Sequence, residues 1–273
     1  LNLDDLPPAD FYALSGLSTS RLRAFEIADA VRRQGKKVIA GGIDVTGVFV
    51  EGEAEKLLTH YDSIVVGRLT RKLWQKILLD FERDELKPVY QADLAEPWEF
   101  VLPRYDLINP KHYFFPSAIR TSAGCNEACP FCTIHLILGE RRRIFVKPLK
   151  LLEKEIKLLP PSRYLVDYSD SFGADFVSTL SILPILRRSG RRWVCEITVK
   201  NLLGIGRGRG TLVNLMADAG CIGVYLGIEN IEQAVSEKST QIETVENAIK
   251  MAHDAGMMVL GSFILDLTRK ETE

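Results

Sequence analysis

Apolar and polar positions along this chain follow two rhythms, and the switches between them mark strands and helices. Short apolar runs at Phe11–Leu14, Lys37–Ala40 and Ser63–Gly67 have strand character. Between the first two, Leu22, Phe25, Ala28 and Val31 fall three apart behind Thr19 and Ser20, either of which can cap a helix, and Gly35 ends it. Further helices are predicted over Glu53–His60 and Leu73–Phe81. Strands that alternate with helices in this way predict a parallel sheet with both faces covered.

The rhythm breaks from about Arg83 to Pro116, a stretch holding Pro88, Pro97, Pro103, Pro110 and Pro116 and little periodicity. It then resumes. Strand patterns lie at Ala118–Thr121, Tyr164–Val166, Trp193–Ile197, Gly223–Gly227 and Val259–Leu265. Helical patterns fill the intervals at Lys147–Leu159, Asp175–Arg188, Thr211–Ala219 and Thr244–Ala255, with Gly190, Gly220 and Gly256 where helix stops are expected. Five strands with crossover helices predict most of a parallel barrel, or an open one, with its chemistry at the C-terminal strand ends. The expected organisation is therefore a partial α/β domain over 1–82, a connector over 83–117 and a partial parallel (β/α) barrel over 118–273.

Composition narrows the function classes. Of 273 residues, 46% are hydrophobic, and the formal net charge of -1 argues against general affinity for nucleic acid or anionic membranes. The basic run Arg141–Arg143 is local. No apolar run has the length of a membrane span, and the opening residues lack a signal-peptide pattern. Both ends read as cut: the first residue is Leu1, and the last residues follow directly on a strand-like run.

Five cysteines are present, an odd number, with three inside Thr121–Cys132. That usage fits a reducing, cytoplasmic setting better than a disulfide scaffold. Cys125, Cys129 and Cys132 stand at C-x3-C-x2-C just after the first barrel strand, so one loop can point three soft thiolates inward. A cubane of four irons held by three cysteines keeps one iron open for reaction. Three cysteines with His135 could instead form a structural zinc site, but the spacing is too compact for paired knuckles and no second knuckle follows. Cys195 and Cys221 stand alone in apolar surroundings and read as inert core thiols.

The spacing, with Phe131 just before the last cysteine, resembles the signature of the radical S-adenosylmethionine (SAM) superfamily. The likeness continues through Leu215–Cys221 and Leu226–Asn230, which resemble the fourth barrel strand and its Gly-Ile-Glu turn, and Gly261–Ile264, which resembles the fifth. It implies a [4Fe-4S] cluster on the three cysteines, with SAM chelating the open iron and undergoing one-electron cleavage to start radical chemistry. The implied SAM contacts are Phe131 and Ile264 toward adenine, and Asp170, Ser171, Glu196 and Glu229 toward the polar groups. Each has a plainer reading. Phe131 could pack the loop, and Asp170 could cap the next helix. Glu229 is costly to bury unpaired at the end of an apolar strand, which favours a site role. The direction of Glu196 depends on a strand register that the sequence leaves open. The resemblance further implies a small-molecule or peptide substrate and an electron donor such as flavodoxin or ferredoxin. Asp266 replaces the usual glycine after strand five. The rival reading is a non-catalytic remnant or a metal-binding module with a structural cysteine site.

Residues 9–82 resemble the second half of the cobalamin (B12)-binding doubly wound domain that precedes the barrel in one radical SAM subclass. The matching stretches are Phe25–Asp29, Val38–Ile43, Asp62–Gly67 and Trp74, with weaker matches at Leu86–Tyr90 and Leu102–Leu107. Asp44 and Arg68 depart from the pattern, and no Asp-x-His-x-x-Gly sequence is present. If Asp44 and Arg68 pair with each other, they close the surface and the domain is a scaffold. Whether it holds cobalamin stays open at this point.

Overall fold

The structure, a computed structural model, describes residues 6–204, 212–229 and 242–264. Thr211, Asn230, Leu265 and Asp266, on which some expectations rest, lie outside the described residues. The chain forms two compact units, one of residues 1–99 with 132–141 and one of 100–131 with 142–273.

The first unit is a four-stranded parallel sheet in the order β1-β2-β3-β4, from β1 (Phe11–Ser15), β2 (Lys37–Gly41), β3 (Ser63–Val66) and β4 (Val89–Gln91). β4 comes from the proline-rich stretch that the sequence pattern assigns to the connector. Four helices join the strands: α1 (Arg21–Arg33), α2 (Ile43–Val50), α3 (Ala54–Leu58) and α4 (Arg71–Glu82). A short α5 (His135–Leu138) also belongs to this unit. Strand alternation explains why both faces are covered. Val38, Ala40, Ile64 and Val66 pack with Phe25, Val31, Val45 and Leu57 of α1–α3. Their neighbours Ile39 and Val65 point the other way, to Ile77, Leu73 and Trp74 of α4. Thr70 caps α4 by accepting from the Leu73 N–H at 3.2 Å.

The second unit carries a five-stranded parallel sheet. Its strands are β5 (Ala118–Ile119), β8 (Tyr164–Asp167), β9 (Arg192–Thr198), β10 (Cys221–Glu229) and β11 (Met258–Phe263), in the order β11-β10-β9-β8-β5. A separate antiparallel pair, β6 (Ser122–Gly124) and β7 (Ile144–Val146), brackets the cysteine loop. The helices are α6 (Leu149–Leu158), α7 (Phe176–Arg188), α8 (Val199–Leu203), α9 (Leu212–Asp218) and α10 (Ile242–Asp254). They build one continuous core on one face of the sheet, around Trp193, Ile197, Leu186, Met216 and Leu226. Trp193 is wholly buried, and its indole N–H donates to the Ala219 carbonyl at 2.9 Å, so burial leaves that donor satisfied. On the other face the register lines up Glu196, Tyr225 and Leu260 in one row across β9, β10 and β11.

Candidate functional site

In the second unit the polar side chains gather at the C-terminal ends of the parallel strands. The cysteine loop leaves β6 at Gly124, whose φ is +97°. A Cβ there would lie 1.9 Å from the Arg143 carbonyl oxygen, so only glycine lets the two hairpin arms approach. The Gly124 N–H donates to Asp170 Oδ2 at 2.6 Å, while Asp170 Oδ1 accepts from Arg120 Nη2 at 2.6 Å. The Arg120 guanidinium also lies over the Tyr168 ring, 5.6 Å from its centroid. Asp170 thus fastens the start of the loop to the end of β8. It is not a helix cap: Asp175 caps α7, accepting from the Ser178 N–H at 3.0 Å.

A second set of bonds holds the loop from β9 and α8. Asn126 Nδ2 donates to Asn201 Oδ1 at 2.9 Å, and Asn201 Nδ2 donates to Asn126 Oδ1 at 3.1 Å and to Ser171 Oγ at 2.9 Å. Lys200 pairs with Glu127 at 3.3 Å. Beneath these groups lies a buried carboxylate, Asp167. It accepts from the hydroxyls of Thr121 at 2.5 Å and Ser169 at 2.6 Å, and from the Ser169 N–H at 3.0 Å. Burial pushes its pKa up; the bonds from Ser169 and Thr121 pull the other way. Arg120, Asn126, Asp167, Ser169 and Asn201 were not singled out from the sequence. The only signal was polar residues clustered just beyond strand-like runs.

The remaining predicted contacts fall as follows. Glu196 is exposed on the helix-free face of β9, and its carbonyl accepts from the Phe172 N–H at 2.8 Å, joining the ends of β8 and β9. Glu229 ends β10 after a register shift, with φ +67°, a conformation uncommon outside glycine and one that gathers at functional sites. Its carbonyl accepts from the Ile264 N–H at 2.8 Å, so these two residues are neighbours. Phe131 is 40% exposed near the far end of the loop.

Cys125 is half-buried and Cys129 buried, both in the second unit, whereas the half-buried Cys132 opens the segment grouped with the first. Among the described residues no three His, Cys, Asp or Glu side chains are gathered closely enough to hold a metal ion. The donor set itself suits an iron–sulfur cluster: three soft sulfurs, with the Glu127 N–H directed at Cys125 Sγ at 3.5 Å, an interaction that favours the thiolate. His135 Nδ1 lies 2.9 Å from the Cys132 carbonyl oxygen and is engaged with backbone. Cys195 and Cys221 are buried side by side in the core. Burial, with a hydrogen bond to Cys221, holds the Cys195 thiol well above its ordinary range and keeps it protonated.

In the first unit a cavity of about 270 Å³ opens at the C-terminal ends of β1–β3. Its lining includes Ser15, Gly41, Gly42, Gly67, Arg68 and Trp74, at the sheet edge where doubly wound folds bind ligands. Asp44 and Arg68 do not pair with each other, so the alternative in which their pairing closes this surface does not hold. Arg21, at the start of α1, reaches Asp44 with contacts of 2.6, 3.0 and 3.2 Å. Arg68 instead donates to the Glu96 carbonyl at 2.5 Å and lies 5.2 Å from the Trp98 ring centroid.

No protein-family model matches the chain. Two curated proteins of Chlorobaculum tepidum are similar along most of it. Bacteriochlorophyllide d C-8(2)-methyltransferase is 26% identical, across 94% of this chain and 59% of its own length. Bacteriochlorophyllide d C-12(1)-methyltransferase is 23% identical, across 95% and 57%. The chain thus spans somewhat over half the length of the curated relatives it matches. Among solved structures, the radical S-adenosylmethionine methyltransferase TsrM of Kitasatospora setae, with cobalamin and a [4Fe-4S] cluster bound, superposes with a TM-score of 0.63 at 14% identity. That match covers 96% of this chain and 59% of TsrM. The same enzyme with tryptophan substrate and a SAM analogue gives 0.63 at 15% identity, covering 95% and 57%. The chain therefore shares the mixed α/β fold, with parallel sheets, of the matching part of TsrM.

Proposed function

We propose that this chain is the cofactor-binding portion of a radical SAM enzyme that transfers a methyl group to a small molecule with the help of cobalamin. The observation that carries the reading is the cysteine loop, fastened by Asp170 to the mouth of a parallel half-barrel. Cys125, Cys129 and Cys132 would hold a [4Fe-4S] cluster, which supplies one-electron reduction of SAM. Arg120 and Asp170 keep the loop entrance in one geometry, and the Glu127 N–H favours the Cys125 thiolate. Glu229 and Ile264 at neighbouring strand ends, with Ser171 and Glu196, would line the SAM site, and Phe131 would flank the adenine.

The cavity over β1–β3, at about 270 Å³ smaller than a whole cobalamin, would seat one part of it, with the Gly41–Gly42 and Gly67 backbones allowing close approach. Small-molecule substrates are named for the relatives, a bacteriochlorophyllide for the curated pair and tryptophan for TsrM. No described helix is long and apolar enough to cross a membrane. Oxygen-sensitive thiolate ligation suits a reducing, cytoplasmic compartment, with a flavodoxin or ferredoxin as electron donor.

Two measurements test the proposal. Anaerobically reconstituted protein incubated with SAM and dithionite should release 5′-deoxyadenosine or S-adenosylhomocysteine. Titration with hydroxocobalamin should reach stoichiometric binding. Intact cluster absorption with neither product above background contradicts the enzymatic reading. An absent cobalamin titration removes the methyl-transfer part alone.

A further inference from the structure

The cysteine loop is gripped at a point that known site chemistry does not require. Asn126 follows Cys125 directly, and its amide meets the Asn201 amide in a reciprocal pair of hydrogen bonds, 2.9 and 3.1 Å long. Asn201 is buried at 1% exposure. Its Nδ2 bonds Ser171 Oγ as well, so one side chain joins the loop beside Cys125 to the end of β8. The Asn126 amide also lies against the sulfur, with Cys125 Sγ 3.9 Å from Asn126 Oδ1. Amide–amide pairs of this kind fix orientation because both partners have two-sided donor and acceptor demands. In a buried setting, losing either partner strands the other.

Resting on the reading of the loop as a cluster site, we infer that Asn201 is a positioning residue for Cys125. Acting through Asn126, it holds the Cys125 sulfur and the Ser171 hydroxyl in one fixed relation, so that cluster retention and the SAM-side wall are set together. The Asn126 amide dipole beside the sulfur also bears on reduction potential, so losing the pair that orients it should shift the cluster's midpoint.

Asn201 can be altered without removing the local helix signal. The cap of α8 is Thr198, which accepts from the Asn201 backbone N–H at 3.2 Å, a bond that a side-chain change leaves in place.

The test uses the whole chain, reconstituted anaerobically, in four forms: unaltered, Asn126→Ala, Asn201→Ala and the double variant. Asn201→Asp, of equal volume, is the second line if alanine unfolds the protein. The readouts are the rate of iron release to a strong chelator, the midpoint potential of the cluster, and the thermal midpoint. The expected result is iron release about tenfold faster in either single variant, the scale of one lost buried hydrogen bond, and no faster in the double. Asn201→Asp should shift the midpoint potential to more negative values, because it sets a carboxylate against Asn126, the neighbour of Cys125. Wild-type iron release and potential in a folded Asn201 variant overturn the inference, as does a change confined to the thermal midpoint. Failure of the unaltered chain to take up any cluster overturns the functional reading itself and is thereby told apart.

Discussion

Replacing Gly124 with alanine probes the loop entrance at a point where geometry leaves no room. The residue has φ +97°, and a Cβ would stand 1.9 Å from the Arg143 carbonyl oxygen, which is backbone and cannot rotate aside. The left-handed conformation alone costs a non-glycine residue about 1–2 kcal/mol. Parting the β6–β7 arms also pulls the Gly124 N–H from Asp170, a charge-assisted bond of 2.6 Å and a class that contributes about 1.5–3 kcal/mol. Together the perturbation amounts to about 2.5–5 kcal/mol, concentrated at the hairpin and not in the sheet core around Trp193. Gly124→Ala should therefore keep a far-UV spectrum close to native while losing most bound iron and sulfide after anaerobic reconstitution. The assay is iron and sulfide per chain, read beside the circular dichroism of the same sample. A fully loaded Gly124→Ala variant with an unchanged thermal midpoint would refute the claim that this contact sets the loop.

Three further outcomes are expected. Burial, and then the Asp44 charge, push the Tyr61 hydroxyl up to about 12. An unfolded tyrosine ionises near 10, so the stability present below about pH 10 is lost as pH rises through about 12, by at most about 1.4 kcal/mol per pH unit; Tyr61→Phe should flatten denaturant midpoints over that window, and an unchanged slope contradicts the assignment. Alkylation of the cluster-free native protein near pH 7.5, followed by peptide mass spectrometry, should label Cys125 and Cys132 well before Cys195 and Cys221; prompt labelling of the last two counts against their core role. Gly67→Ala strains a φ of +83° and brings a Cβ within 3.2 Å of Ala92 and Leu94, so it should weaken hydroxocobalamin binding while leaving cluster content intact. Equal affinity in that variant would place cobalamin elsewhere.

Much of the architecture was legible because strand and helix periods are local. The parallel strands at Lys37–Gly41, Ser63–Val66 and Arg192–Thr198 follow apolar runs, α1 follows its three-apart spacing, and α7 falls within the helical pattern of Asp175–Arg188. α2 was not foreseen. Ile43–Val50 is apolar and β-branched, without a polar stripe, because Val45, Thr46 and Val48 are all buried; Thr46 then satisfies its hydroxyl at the Gly42 carbonyl and accepts from the Gly67 N–H. β4 was hidden among prolines, since its three residues acquire strand character only from pairing with β3. At the site, the cysteine spacing announced itself, whereas the grips on the loop did not. Asp170 and Asn201 lie 46 and 75 positions from their partners Gly124 and Asn126, and only the packed sheet brings such residues together. The direction of Glu196 likewise needed the register, which places it beside Tyr225 on the face away from the helices.

On the proposed reading, Cys125, Cys129 and Cys132 in one loop hold a [4Fe-4S] cluster. Iron, zinc and acid-labile sulfide measured per chain after anaerobic reconstitution test it most directly, on the unaltered protein and on the Cys125→Ala, Cys129→Ala, Cys132→Ala triple variant. Close to four iron and four sulfide are expected per unaltered chain, the content of such a cluster, and almost none in the triple variant. Stoichiometric zinc without sulfide, or iron and sulfide retained after all three cysteines are removed, would contradict it.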